Sequence, residues 1–390
     1  MEKRLKKIVR EAVENGETAG LNVLILKNQR EIFYEQAGFA NIEERKPITR
    51  DTIFRLYSMT KPVTAAAALL LVERGLLDLG QPVSQILTGF CNQKVCNGEE
   101  LVSLERPLLV KNLLNMTSGL VYPGTQTSAE RHMSEVFDDI VQNLYGNHQL
   151  TTVEVANRIG RCPLQFQPEK IWQYSCSADV LGAVIETVSG MKFGEFLKSE
   201  FFEPLGMKDT GFYVPSNQKA RIAVPYERME KGKFKRYTGC NLGISNDVSL
   251  PNAYESGGAG LVSTIDDYAR FTQMLLNGGN YGGTQILQER TVKYLTQGSL
   301  SERQKEGMKN WIELSGHTYG NLMRILEEPE KATSFGQKGE YGWDGWLGCY
   351  FSNCPSENMT ILAMLQLKDS GIQPVIRKIR NIVFSSEIWK

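Results

Sequence analysis

No run of about 18 apolar residues, the length a membrane-spanning helix requires, occurs in the chain. The longest helical candidate, VTAAAALLLV, is far too short. Neither sign of charge dominates: 44 Lys and Arg stand against 44 Asp and Glu, so there is no global field to draw in nucleic acid or anionic lipid. Histidine is scarce, and the three residues present, His132, His148 and His317, are isolated from one another. Cys91 and Cys96 lack a matching Cys or His pair at zinc-finger spacing, so no structural metal is expected. The seven cysteines are odd in number and scattered through a chain too large to need staples, which predicts reduced thiols in a cytoplasm. The opening MEKRLKKIVREAVENGETAG has no apolar run of signal-peptide length; its Leu5, Ile8, Val9 and Val13 fall at helical spacing instead. Repeats and low-complexity linkers are absent too. The expectation is a soluble cytoplasmic protein with no nucleic-acid or membrane partner and no cofactor; no long coiled-coil repeat decides its oligomeric state.

What is present is ordinary globular material, 41% hydrophobic and 23% charged. At 390 residues the chain exceeds the size at which one core stops growing, so one large or two interleaved lobes are expected. LNVLILKNQREIFYEQAGFAN alternates as two strands around a polar turn at Lys27 to Arg30, and LGCYFSNCPSENMTILAMLQL does the same around Pro355, Ser356 and Asn358. The final IQPVIRKIRNIVFSSEIW returns to helical spacing. Between these ends the signals are helical: Val63–Arg74, Val110–Met116, Ala178–Ser189, Phe193–Phe202 and Ile265–Asn277, with stops at Gly75, Gly190 and Gly278. The fold class predicted is α+β: an antiparallel sheet built from both chain ends (1–55 and 288–390), flanked by helices, with a mostly helical region (56–287) inserted and a site at the junction.

The chemistry begins with FRLYSMTKPVTAAAALLLVERGLLDL. Ser58 and Lys61, three residues apart on a helix, would share a face. A serine hydroxyl needs a neighbouring base, and a desolvated lysine can act as one; backbone N–H groups at the helix start could hold an oxyanion. The same residues could also be a helix N-cap and a solvated lysine. Tyr174, just before a helix starting near Ser177 or Ala178, could relay a proton if a cation lay nearby, or could be a half-buried aromatic.

Taken together, FRLYSMTKPVTA, LLVKNLLNMTSGL, WQYSCSADVLGAVIETVSG, FFEPLGMKDTGFYVP and SGGAGLVSTIDDYARFTQMLLNGG resemble the serine β-lactamase-related superfamily. The resemblance is to its branch of class C β-lactamases, family VIII carboxylesterases and penicillin-binding-protein-like hydrolases, and it covers nearly the full length in family order. It implies that Ser58 is the acylated nucleophile, Lys61 its activating base and Tyr174 the proton shuttle, with Gly257, Gly258 and Gly260 in a structural turn. The family's third motif, a cation, a small residue and a glycine on the strand edging the site, falls on Trp343, Asp344 and Gly345. The N–H of Trp346 would complete an oxyanion hole with that of Ser58.

Two departures narrow the substrate. A tryptophan and an acid replace the cation that holds a β-lactam carboxylate, and Cys176 replaces an asparagine whose amide binds the acyl side chain, which a thiol cannot imitate. A cysteine nucleophile at Cys176 lacks a partner base, and Met116, where many relatives carry histidine, reads as packing. Tyr341, Trp343, Trp346 and Tyr350 are either strand packing or an apolar acyl pocket. Loops 122–147 and 215–250 would shape that pocket. The expectation is a serine hydrolase of small esters or amides, carboxylesterase-like, with Cys176, Trp343, Asp344 and Gly345 near substrate. D-amino-acid peptidase or amidase, acyltransferase and weak β-lactamase are alternatives, as is a non-turnover sensor.

Overall fold

The computed structural model describes residues 1–386 apart from Glu99 and Asn147, so the last residues of the predicted terminal helical segment and the end of the predicted 122–147 loop lie outside the described residues. Eight strands form one antiparallel sheet: β1 (Gly20–Lys27), β2 (Arg30–Asn41), β3 (Lys46–Pro47), β4 (His317–Gly320), β5 (Met323–Leu326), β6 (Tyr341–Asp344), β7 (Tyr350–Cys354) and β8 (Met359–Leu365). Their order is β4-β5-β6-β7-β8-β1-β2-β3. Strands from the two chain ends meet where β1 pairs with β8, Leu21 facing Leu365 and Lys27 facing Met359. The first hairpin turns on Asn28 and Gln29, both at positive φ (50° and 62°), the conformation that matches the twist of paired strands.

Because side chains alternate across a strand, β1 and β8 feed two cores. Leu21, Val23 and Ile25 of β1 and Met359, Ile361, Ala363 and Leu365 of β8 pack with Leu5, Val9, Val375, Ile376 and Ile379, from the amphipathic helices α1 (Glu2–Glu14) and α5 (Pro374–Phe384). Leu24, Leu362 and Met364 point to the other face, against α2 (Thr60–Glu73), α3 (Ser177–Ser189) and α4 (Ile265–Leu276). The fold is α+β, with a sheet from both chain ends and helices on it, as the strand and helix patterns predict.

Helix α2 is enclosed on every side from Thr60 to Leu71, which is why its sequence lacks a polar face. Ala65 to Ala68 allow that enclosure, being small enough for neighbouring elements to approach closely. It starts three residues earlier than predicted, at Thr60, and Ser58 does not cap it; Met59 occupies the N-cap position without a side-chain bond.

One element was not foreseen. His317–Gly320 and Met323–Leu326 form a hairpin that the sequence pattern did not reveal. Its turn residues, Asn321 and Leu322 (φ 48° and 63°), include no glycine, and the Leu322 side chain is fully buried with its N–H donating to the Leu114 carbonyl. This hairpin covers β6, so the strand beside the site is not an outer edge. Only Tyr341 and Gly342 pair with β5, however, so the Trp343–Gly345 backbone lies beyond that pairing.

An Ala66→Leu variant should lose about 1–3 kcal/mol of stability, because three extra heavy atoms enter a closed space. Urea denaturation followed by circular dichroism checks this; an unchanged midpoint would mean that α2 is not enclosed.

Candidate active site

Ser58 sits on a short 3-10 turn, Tyr57–Met59, directly before α2. Four contacts fix that turn. Phe54 and Arg55 pair with Ser263 and Val262; the Leu56 N–H donates to Leu261 O at 2.9 Å; the Leu261 N–H donates to Thr60 Oγ1 at 3.1 Å; and Tyr268 Oη donates to Met59 O at 2.7 Å. Tyr57 is held at φ 45°, a left-handed conformation that costs a non-glycine residue about 1–3 kcal/mol and persists only where the surroundings over-determine it. Gly345 adds a steric constraint: a Cβ there would lie 2.2 Å from Leu56 O. Glycine at the end of β6 therefore lets the sheet touch the serine turn.

Lys61 occupies the first turn of α2 and is completely buried. Its Nζ is 3.1 Å from Ser58 Oγ, 3.0 Å from Tyr122 Oη and 2.8 Å from Gly258 O, and lies 4.8 Å from the centre of the Tyr174 ring. No carboxylate pairs with it among the described residues. Burial pulls its pKa down to about 8, opposed by the field of Asp179 and more weakly by Cys176 and Asp344. A neutral amine fits this geometry, since it can donate to Gly258 O and Tyr122 Oη and accept from the Ser58 hydroxyl.

Tyr174 precedes α3, and its Oη accepts from Trp343 Nε1 at 3.1 Å and hydrogen-bonds Ser58. Burial raises its pKa, and the bonds to Ser58 and Trp343 pull the other way. The tyrosine therefore stands as a neutral phenol beside an amine that loses its proton readily, which makes Lys61 the stronger candidate base and Tyr174 a relay. Its ring packs against Trp311, Trp343, Tyr122 and Trp172 at centroid distances of 5.1, 5.5, 5.6 and 6.2 Å.

The structure thus brings Ser58, Lys61 and Tyr174 together, with Trp343 bonded to the tyrosine. The amides of Ser58 and Trp346 have no acceptor among the described residues. The Trp346 side chain faces elsewhere, donating to Asp369 Oδ1 at 2.6 Å and packing on Tyr57. Asp344 is not a bare negative charge: Arg324 Nη1 donates to its Oδ1 at 2.6 Å, while burial pushes the carboxyl up against the pull of that guanidinium. Cys176 is fully buried, its Sγ donating to Val121 O at 3.2 Å, and burial pushes the thiol well up, conditions that disfavour a nucleophilic thiolate. Met116 is buried and accepts from Ser175 Oγ. Tyr341 and Tyr350 are buried, with hydroxyls bonded to Asn353 and Arg380.

Four contributors escaped sequence reasoning. Tyr122 lies 61 residues from Lys61 in a stretch without periodicity. Trp311 comes from a loop. Arg324 reaches Asp344 only through strand pairing. Asp179, in the first turn of α3, is almost wholly buried and its Oδ1 accepts from Tyr254 Oη, Ser256 Oγ and the Gly258 N–H. It thereby fixes the loop whose Gly258 carbonyl holds Lys61, and Gly257 is required there because a Cβ would meet Ala178 O at 2.3 Å. The glycine turn is thus more than a structural bend, since one of its carbonyls binds Lys61.

A serine hydroxyl, a buried amine and a phenol brought together beside a large antiparallel sheet make a candidate serine-hydrolase site of the S-x-x-K kind. Comparison with known proteins gives the class of protein. The family model described as Beta-lactamase matches residues 5–381. The chain is 29% identical over 403 residues to esterase EstB of Burkholderia gladioli, covering 98% of this chain and 95% of that one. It is 27% identical to the lovastatin esterase of Penicillium rubens, with 86% and 83% covered. Among solved structures, EstCE1, a hydrolase with promiscuous acyltransferase activity, superposes with a TM-score of 0.82 at 26% identity, 98% of each chain being covered. The chain belongs to the Beta-lactamase family and is a serine hydrolase within it. No helix among the described residues is long and apolar enough to cross a membrane.

An Asp179→Asn variant removes the charge that raises the Lys61 pKa, so the rising limb of the kcat/KM profile should move to lower pH while kcat falls. An unmoved limb would show that Asp179 serves folding alone. Gly345→Ala should lower stability by about 1–3 kcal/mol through the clash with Leu56, and activity with it; calorimetry and ester turnover measure both.

Proposed function

We propose that the protein is a carboxylesterase-like hydrolase of small esters or amides that works through an acyl-enzyme on Ser58. The observation that carries this reading is the contact between the Ser58 hydroxyl and the carboxylate-free, buried Lys61 amine. Ser58 Oγ attacks the substrate carbonyl as its proton passes to Lys61 Nζ, and the oxyanion is held by the N–H groups of Ser58 and Trp346. The bond to the leaving alcohol or amine breaks as that group takes a proton through Tyr174. Water, losing a proton to the same pair, then splits the acyl-enzyme and releases the acid.

Trp343 keeps Tyr174 aimed at the serine, and the free backbone edge of Trp343 to Gly345 offers a rail for substrate. Two features favour esters over β-lactams. Trp343 stands where a cation would hold a β-lactam carboxylate, with Asp344 beside it bound to Arg324, and the Cys176 thiol is spent on Val121 O rather than presented to an acyl amide. The acyl-chain side would be apolar, with Trp311 and Trp343 close to Tyr174. The names of EstB, the lovastatin esterase and EstCE1 agree with a small ester as substrate.

Hydrolysis of p-nitrophenyl acetate and butyrate, a D-amino-acid anilide and nitrocefin should rank with the esters first. Ser58→Ala should abolish ester turnover, and Tyr174→Phe should lower kcat by about 100-fold or more. Mass spectrometry should place the acyl group on Ser58; a Ser58→Ala protein with the wild-type rate would overturn the reading, and a stable adduct without turnover would make the protein a sensor. Because Lys61 must be neutral and its pKa lies at about 8, kcat/KM should climb with pH and level off above that value. A profile flat from pH 6 to 9 would remove Lys61 as the base.

A further inference from the structure

A second cavity, of about 570 Å³, is lined by none of Ser58, Lys61 and Tyr174. It lies between the end of the first hairpin, Arg55 and the 219–248 segment, which contributes Arg236, Tyr237 and Asn246. Tyr237 packs edge-on against Trp346 at 5.4 Å, and Trp346 lies 5.0 Å from the ring of Tyr57, the residue adjoining Ser58. The size suits a small organic ligand, since such sites run from about 300 to 1,000 Å³.

Its charge is unbalanced. Lys46, Arg55, Lys219 and Arg236 line it against Glu44 and Asp247. Lys46 already donates to Ala220 O, and Lys219 stands 3.9 Å from Asp247. Arg55 is the unusual member. It is 6% exposed, its Nη1 donates to Ala223 O at 2.8 Å and its Nη2 to Asn246 O. Among the described residues its Nε–H has no acceptor, and no carboxylate comes within ion-pair distance of either Arg55 or Arg236. Burial drags the Arg55 pKa down to about 10. A buried guanidinium without a contacting counter-ion is a large electrostatic penalty; the fold here supplies two carbonyls, and Asp247 acts on it only from beyond ion-pair distance. Beside it, Asn246 Oδ1 is buried with no donor.

We propose that this cavity binds a small hydroxylated carboxylic acid in its anionic form, its carboxylate taken by Arg55 and Arg236 and its hydroxyl donating to Asn246 Oδ1. A carboxylate fits better than a phosphate because Nη1 and Nη2 of Arg55 are each turned to a loop carbonyl, so that Nε is its one nitrogen without a partner among the described residues; a dianion would need more donors than that group and the exposed Arg236 supply. The site does not depend on the hydrolase reading, since none of its residues touches Ser58, Lys61 or Tyr174.

Isothermal titration of 3-hydroxybutyrate into the full chain carrying Ser58→Ala tests the site without turnover, with its neutral methyl ester and inorganic phosphate as comparison probes. The acid should bind about tenfold or more tightly than the ester, and Arg55→Gln should remove that preference. Arg55 also holds two loop carbonyls, so that variant can fail to fold. Arg236→Gln, on an exposed residue, keeps the test open and should weaken the acid about fivefold or more while leaving the ester unchanged. Equal binding of acid and ester, unchanged acid binding in Arg236→Gln, or phosphate binding more tightly than the acid would each overturn the proposal. Where the acid binds, competitive inhibition of p-nitrophenyl butyrate hydrolysis identifies the occupant as part of the substrate or product, and uncompetitive or absent inhibition identifies a separate effector; both uphold the site.

Discussion

A lysine amine held in a space with no carboxylate beside it is the constraint on which the rest of the structure turns. In water Lys61 would carry its charge at any physiological pH. Enclosed under α2, Tyr122, Tyr174 and the glycine loop, it gives up that charge near pH 8, because the desolvated ammonium gains only distant compensation. Its three polar contacts suit an amine that donates twice and accepts once. Every nearby device keeps that arrangement: the alanines that let α2 be surrounded, the carbonyl of Gly258 and the buried Asp179 that pins the loop bearing it. Asp179 works in both directions, fixing the acceptor while lifting the pKa of Lys61 part of the way back.

The sheet reaches this centre through one close approach. At Gly345 the end of β6 abuts Leu56 O, just before the strained Tyr57 and Ser58. The neighbouring Trp343 bonds Tyr174, so one strand end supplies both a steric stop for the serine turn and a hydrogen bond for that tyrosine. Asp344 and Arg324 lie beneath as a closed ion pair. Where a cation in the third motif would invite an anionic substrate, this chain has Trp343, and the Asp344 next to it is paired with Arg324. Its uncompensated positive charge lies instead with Arg55, which leads into the serine turn from the other side.

The end strands, the main helices and their glycine stops were legible because each rests on local periodicity or on a residue with special backbone freedom: Gly75, Gly190 and Gly278 all adopt positive φ at helix ends. The hairpin around Asn321 and Leu322 was not, because a buried leucine in a left-handed turn carries no turn signal and is held there by Leu114, some two hundred residues earlier in the chain. Ser58, Lys61 and Tyr174 could be named from their motifs. Tyr122, Asp179, Trp311 and Arg324 could not, since each acts through a partner distant in sequence and each has an ordinary loop, helix or strand residue as its local appearance. The spacing of Ser58 and Lys61 suggested one helix face, whereas the serine stands on a separate 3-10 turn just before the helix.

By itself the sequence determined the α+β class, the two end hairpins and the identity of the S-x-x-K pair, because alternation, turn chemistry and short motifs are properties of neighbouring residues. Only the tertiary structure sets the order in which Lys61 and Tyr174 lose their protons, on which the proposal of Lys61 as base rests. The pKa order of Lys61 and Tyr174 depends on desolvation and on charges contributed by Asp179 and Asp344 from other elements. It also decided that Asp344 is paired and Arg55 is not, since a charge finds or fails to find its counter-ion only when strands and loops far apart in the chain are folded against one another.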